Sequence, residues 1–181
     1  MAKKYFYIVL GALSIYLGAQ IAFDIAFSEI KIPITGQSLA VLVVGFILGK
    51  NWGMRAVAVY LIAGCLGLPV FAKGNSGFDT LLAPSGGFLY GFLFAAFFIG
   101  WLREQGFDNN FGKYLLAMTL GTAVILIFGV GHLTYLFGFK LALEYGFYPF
   151  WQGAVAKIVL GAVIVFLFER FSFATKARRL F

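Results

Sequence analysis

The sequence predicts an all-α integral membrane protein of six transmembrane helices, and three observations carry that expectation. Of 181 residues, 62% are hydrophobic and 12% charged, with mean hydropathy +0.94; soluble domains are about 45–50% apolar and about 25% charged. A chain this short has too little interior to hide so much apolar surface, so lipid must solvate much of it. The apolar residues also fall in continuous runs rather than alternating segments, which favours helices over a closed β-barrel. Finally, the basic residues gather on one side of those runs. The whole chain, 1–181, reads as a single membrane domain with no soluble domain attached.

The first run covers 5–27. Lys3 and Lys4 ahead of it have the look of a signal-peptide basic region, but the run exceeds the ~7–15 residues of a signal core, so it reads as a retained span. Within it, Ser14, Gly18, Ala22 and Ala26 recur every fourth residue and form a shallow groove of small side chains along one face. Such a groove suits close approach either by a helix of this chain or by a partner subunit. Asp24 lies beside that face near the outer end. Runs 37–49 and 54–68 are short and are joined by "GKNWG", whose residues suit a tight reversal. Longer runs follow at 86–102, 114–138 and 153–170, to be compared with the ~20 residues that cross a hydrocarbon core.

With the N-terminus in the cytoplasm, Lys3, Lys4, Lys50, Arg55, Arg103, Lys113, Arg170, Lys176, Arg178 and Arg179 fall inside. Lys31, Lys73 and Lys140 fall outside, and Lys157 lies within a span, which accounts for all 14 basic residues. This inner excess predicts that both termini are cytoplasmic, and the expected location is the inner (plasma) membrane. It also explains the net charge of +7 by topology, so no nucleic-acid partner is expected.

Two outer connections, "SEIKIPITGQS" (28–38) and "LPVFAKGNSGFDTLLAPSGG" (68–87), combine proline, glycine and small polar residues with little charge. Irregular backbone at membrane depth is tolerated where protein or a cavity surrounds it. The segments therefore read either as compact surface turns or as walls of an outward-facing pocket, with Phe71, Phe78, Phe88 and Tyr90 positioned to line it. Lys157, in "PFWQGAVAKIVLGA", either lifts its ammonium to the outer headgroups or faces a cavity, where it would meet an anionic or carbonyl-bearing ligand.

Other chemistry is missing. His132 is the single histidine and reads as a hydrogen-bonded packing residue rather than a metal ligand. Cys65 stands alone, without a disulfide partner. "VGFILGKN" (44–51) fails as a phosphate-binding loop because Val44 replaces the first glycine and Asn51 the hydroxyl residue. No enzyme chemistry and no cofactor are expected, and any energy source must lie in another chain.

The ordered segments "PITGQSLAVLVVGFILGKNWG", "VYLIAGCLGLPVFAKGNSG", "APSGGFLYGF" and "YPFWQGAVAK" resemble BioY, the biotin-binding S component of energy-coupling-factor (ECF) vitamin transporters. The likeness runs from about residue 30 to 165. It implies an S-component bundle that takes biotin as its transported ligand. Partners would be a transmembrane coupling protein, which the Ser14–Gly18–Ala22–Ala26 face would meet, and a cytoplasmic ATPase pair; family members reorient in the membrane as the ATPases cycle. It further implies polar ligand contacts from Thr35, Gln37, Asn75, Ser76 and Ser85, walls from Phe71, Phe88 and Tyr90, and a ligand-side Lys157. In the family, the segment matching Pro84–Phe88 begins a helix beside the substrate cavity. Two departures stand out. Ala154 occupies a position where some members carry aspartate, leaving Gln152 to contribute polar contacts, and Ser85 and Phe88 replace the frequent Thr and Tyr. The alternatives are an S component for another small vitamin, or a ligand-free membrane scaffold.

Overall fold

The computed structural model of the protein describes residues 2–23, 32–108 and 110–177. Eight α-helices and one short strand pair are present among them: α1 (Ala2–Gln20), β1 (Ala22–Phe23), β2 (Ile34–Thr35), α2 (Gln37–Leu48), α3 (Lys50–Cys65), α4 (Asp79–Leu82), α5 (Gly86–Glu104), α6 (Phe111–Phe137), α7 (Phe139–Gly146) and α8 (Trp151–Ala177). By length and composition, three of these suffice to cross a membrane: Gly86–Glu104, Phe111–Phe137 and Trp151–Phe171. Tyr5–Gln20 and Gln37–Leu48 are shorter apolar helices.

The first helix is shorter than the apolar run that encodes it. It ends at Gln20, and Ala22 and Phe23 instead pair antiparallel with Thr35 and Ile34. Gly18 and Gly36 explain the switch. A Cβ on either glycine would come within 2.9 Å of the other's carbonyl oxygen, so only two glycines let the backbones approach this closely. The amide of Gly36 then donates to the Ile21 carbonyl at 2.9 Å, which ends the helical ladder there. Residues 24–31, including Asp24 and Ala26, lie outside the described residues.

The connection before α8 also differs from a plain loop. Gly138 adopts φ +85, closes α6, and lets the chain turn into α7. Ala142 of α7 is buried against Leu133 of α6 and Ile32 in a small apolar cluster separate from the main core.

The main core lies along α2, α5 and α6, where Val41, Leu42, Phe46, Ile99 and Met118 are fully enclosed. In contrast, the most apolar stretch of α8 is only 17% buried, and α1 exposes Phe6, Val9, Leu13 and Leu17. Such continuous exposed apolar faces are what a lipid-solvated bundle presents. At the C-terminal end of α5, Arg103 donates to the carbonyls of Phe46 and Ile47 and pairs with Glu169 of α8 at 2.7 Å. Beside it, Glu104 pairs with Lys50 at 2.9 Å. These contacts close the bundle at the end opposite the α5 N-terminus.

Candidate functional site

A cavity of about 530 Å³ opens between the first turn of α2, the 71–85 connection, the N-terminal half of α5, the middle of α6 and the start of α8. That volume lies within the ~300–1,000 Å³ typical of small-molecule sites. Its walls are of two kinds.

The polar wall begins with Thr35, Gln37 and Ser38. Gln37 is only 4% exposed, and a buried amide must be hydrogen-bonded. Its Oε1 accepts from Thr35 Oγ1 at 3.0 Å, and its Nε2 donates to the hydroxyl of Tyr60, which donates in turn to the Val70 carbonyl at 3.0 Å. Thr35 Oγ1 also accepts from the backbone N–H of Gln37 at 3.3 Å. Across the cavity, Lys157 Nζ donates to Ser38 Oγ at 3.1 Å. Among the described residues this ammonium has no carboxylate partner. Thus α8 points its lysine into the cavity, and the reading in which it reaches away to the headgroups is set aside.

The apolar wall is aromatic. Phe71, 1% exposed, packs edge-on against Tyr60 with ring centroids 5.6 Å apart and covers the bare backbone of Gly64. Phe88 lies 5.5 Å from Phe150, and both line the cavity.

Between the walls runs the proline–serine–glycine segment. A Cβ at Gly86 would fall onto the Leu81 carbonyl, and one at Gly87 onto His132 and the Phe128 carbonyl. The glycine pair therefore seats the start of α5 directly against the preceding turn and against α6. Two side chains hold that turn: Tyr90 donates to the Leu81 carbonyl at 3.0 Å, and His132 Nε2 lies 3.2 Å from the Ala83 carbonyl. Since a carbonyl only accepts, that nitrogen carries the proton, and His132 serves packing. The first amides of α5 are partly occupied, for Gly86 N–H donates to Ala83 and Phe88 N–H to Ser85.

Of the residues expected at the ligand, Thr35, Gln37, Phe71, Asn75, Ser85, Phe88 and Lys157 line this one cavity, although they come from four separate stretches of chain. Ser76, Phe78, Tyr90 and Gln152 are not among its lining residues, Phe78 being exposed. Ser76 uses its carbonyl to accept from Thr80 Oγ1 at 2.9 Å, Tyr90 acts behind the wall, and Gln152 is exposed. Ser38, Asp79 and Thr80 also line the cavity, and they fall within the two irregular segments that read as its walls. Thr122 and Phe150 line it from outside those segments and carry no local signal, because a threonine or a phenylalanine in an apolar stretch looks ordinary. On the small-residue face, Ser14 is exposed and donates to Leu10, Gly18 packs inside the chain on Gly36, and Ala22 is in β1.

The sequence model described as the BioY family matches residues 1–173. A protein named biotin transporter BioY from Thermotoga maritima is 38% identical over 134 residues, covering 74% of this chain and 78% of that one. A second of that name, from Rhizobium etli, is 34% identical over 148 residues, covering 77% and 79%. Among solved structures, a crystal structure of the S-component for biotin from an ECF-type ABC transporter is similar with TM-score 0.83 and 25% identity. It matches 93% of this chain and 92% of its own.

Proposed function

The chain belongs to the BioY family, and from that membership we infer that it is the biotin-specific substrate-binding subunit of a vitamin uptake system. It is a multi-pass membrane protein and a transporter subunit, not an enzyme. The observation that carries the site assignment is the cavity in which a polar wall of Thr35, Gln37, Ser38 and Lys157 faces an aromatic wall of Phe71, Phe88 and Phe150. Biotin needs both. Its cyclic urea takes donors and acceptors, its thioether ring and valeryl chain take apolar walls, and its carboxylate takes a cation or N–H donors.

In this proposal the bundle spans the membrane six times with both termini in the cytoplasm, and the cavity receives biotin from the outer face. Delivery requires a transmembrane coupling protein and a pair of cytoplasmic ATPases, because this chain carries no phosphate-binding loop. The name of its structural neighbour, an ECF-type S-component, supports such partners. Among the described residues of the small-residue face, exposed Ser14 is the part open to the coupling protein.

Ala154 lines the cavity beside Lys157, at the position where some family members carry an aspartate, so a carboxylate for the ureido ring is missing there. This favours one second reading, a preference for a different small vitamin. Titration calorimetry of the purified chain with biotin, riboflavin and thiamine tests both readings. Tight one-to-one binding of biotin alone supports the proposal. Binding of another vitamin by a folded, monodisperse sample that ignores biotin would overturn it.

A further inference from the structure

Tyr60 does not line the cavity, yet its hydroxyl meets the Nε2 end of the Gln37 amide from behind it. A phenol has a single proton, and here it goes to the Val70 carbonyl at 3.0 Å. The hydroxyl can therefore only accept from Gln37, which forces the Nε2 end of the amide toward α3. The opposite end, Oε1, then faces Thr35 and accepts its hydroxyl proton at 3.0 Å. Were the amide turned over, Tyr60 would have to donate to Oε1 and abandon the Val70 carbonyl. The turned-over amide would thus gain one bond only by taking the donor from a part-buried carbonyl.

We propose that Tyr60 is a positioning residue for ligand recognition: anchored by the Val70 carbonyl, it fixes the Gln37 amide so that one N–H and one oxygen lone pair remain for the ligand. Neither of those has a partner among the described residues. An adjacent donor and acceptor complement the –NH–C(=O)– edge of a cyclic urea. The same hydroxyl ties Gln37 to the 66–75 connection, where Phe71 packs edge-on against the Tyr60 ring. This rests on the biotin reading above, which the wild-type titration tests first.

The experiment is a double-mutant cycle on the full chain, titrated with biotin and with 2-iminobiotin, in which NH replaces the urea oxygen. Tyr60→Phe keeps the ring and its packing but frees the amide to turn over. Affinity for biotin should fall by about tenfold, the equivalent of one good hydrogen bond. The preference for biotin over 2-iminobiotin should shrink, and both effects should vanish in a Gln37→Leu background. A general loosening of the pocket would weaken both ligands alike and would persist in that background. Either result, or unchanged affinity in Tyr60→Phe, overturns the proposal, whereas a wild-type chain that does not bind biotin overturns the underlying reading instead. Should Tyr60→Phe fail to fold, Gln37→Glu provides the second test. Its carboxylate would draw the Tyr60 proton away from Val70, so hydrogen exchange across 66–75 should accelerate. Unchanged exchange there would equally overturn the proposal.

Discussion

Lys157 of α8 donates to Ser38 at the start of α2, a 3.1 Å bond between residues 119 positions apart in sequence. One hydroxyl does not replace the hydration shell of an ammonium, and a cation this far inside an apolar bundle needs a further acceptor. The proposed ligand provides one. Lys157→Ala should therefore weaken biotin binding by about tenfold to a hundredfold, the range for a hydrogen bond to a charged group. Calorimetry of the variant checks this, together with its melting temperature. An unaltered dissociation constant would remove Lys157 from the ligand.

Tyr90 supports the site from behind. Its bond to the Leu81 carbonyl holds the turn that carries Pro84 and Ser85 to the cavity edge. Tyr90→Phe should cost about 1 kcal/mol at that turn, felt as a several-fold loss in biotin affinity. The aromatic wall should be unaffected. Equal affinity in the variant would show that the turn is held by His132 alone.

Gly87 is a packing requirement rather than a ligand contact. A methyl group there meets His132 and the Phe128 carbonyl, and neither backbone nor a held ring can give way cheaply. Gly87→Ala should destabilise the fold by about 1–3 kcal/mol, lowering the melting temperature in detergent whether or not biotin is present. Wild-type melting would mean that α5 and α6 can separate there without penalty.

Arg103 and Glu169 close the opposite end of the bundle, and their side chains are partly exposed, at 29% and 14%. Arg103→Met strands the carboxylate and frees the Phe46 and Ile47 carbonyls. The expected loss is about 1–3 kcal/mol, less than for a fully buried pair because solvent screens this one. Adding Glu169→Leu should recover part of it. Biotin affinity should stay within twofold throughout, since the pair lies at the other end of α5. A large change in affinity would show that the two ends of the bundle are coupled.

Much of the site was legible one stretch at a time. Lys157 stands out because lysine is costly in an apolar run, and the segments 28–38 and 68–87 because prolines, glycines and small polar residues interrupt the apolar pattern there; Thr35, Gln37, Asn75 and Ser85 within them are implied as ligand contacts by the resemblance. Thr122 and Phe150 gave no such signal, and neither did the relay through Tyr60, whose hydroxyl proton and lone pair find partners on two other elements. The same limitation misled in the other direction. Tyr90 and Gln152 neighbour lining residues in sequence, but side chains on a helix fan out at ~100° per residue, so adjacency says little about which face they share.

Composition, the apolar runs and the placement of lysine and arginine are enough to require a helical bundle in lipid, because those properties are set by solvation, which acts on each segment separately. Where the first helix stops, which residues share the cavity and which way the Gln37 amide points depend on contacts between segments distant in sequence. Gly18 must meet Gly36 before α1 can end at Gln20, and Val70 must come within reach of Tyr60 before Gln37 has a fixed orientation. Close approach and hydrogen-bond direction are properties of the assembled backbone, and no single stretch of sequence carries them.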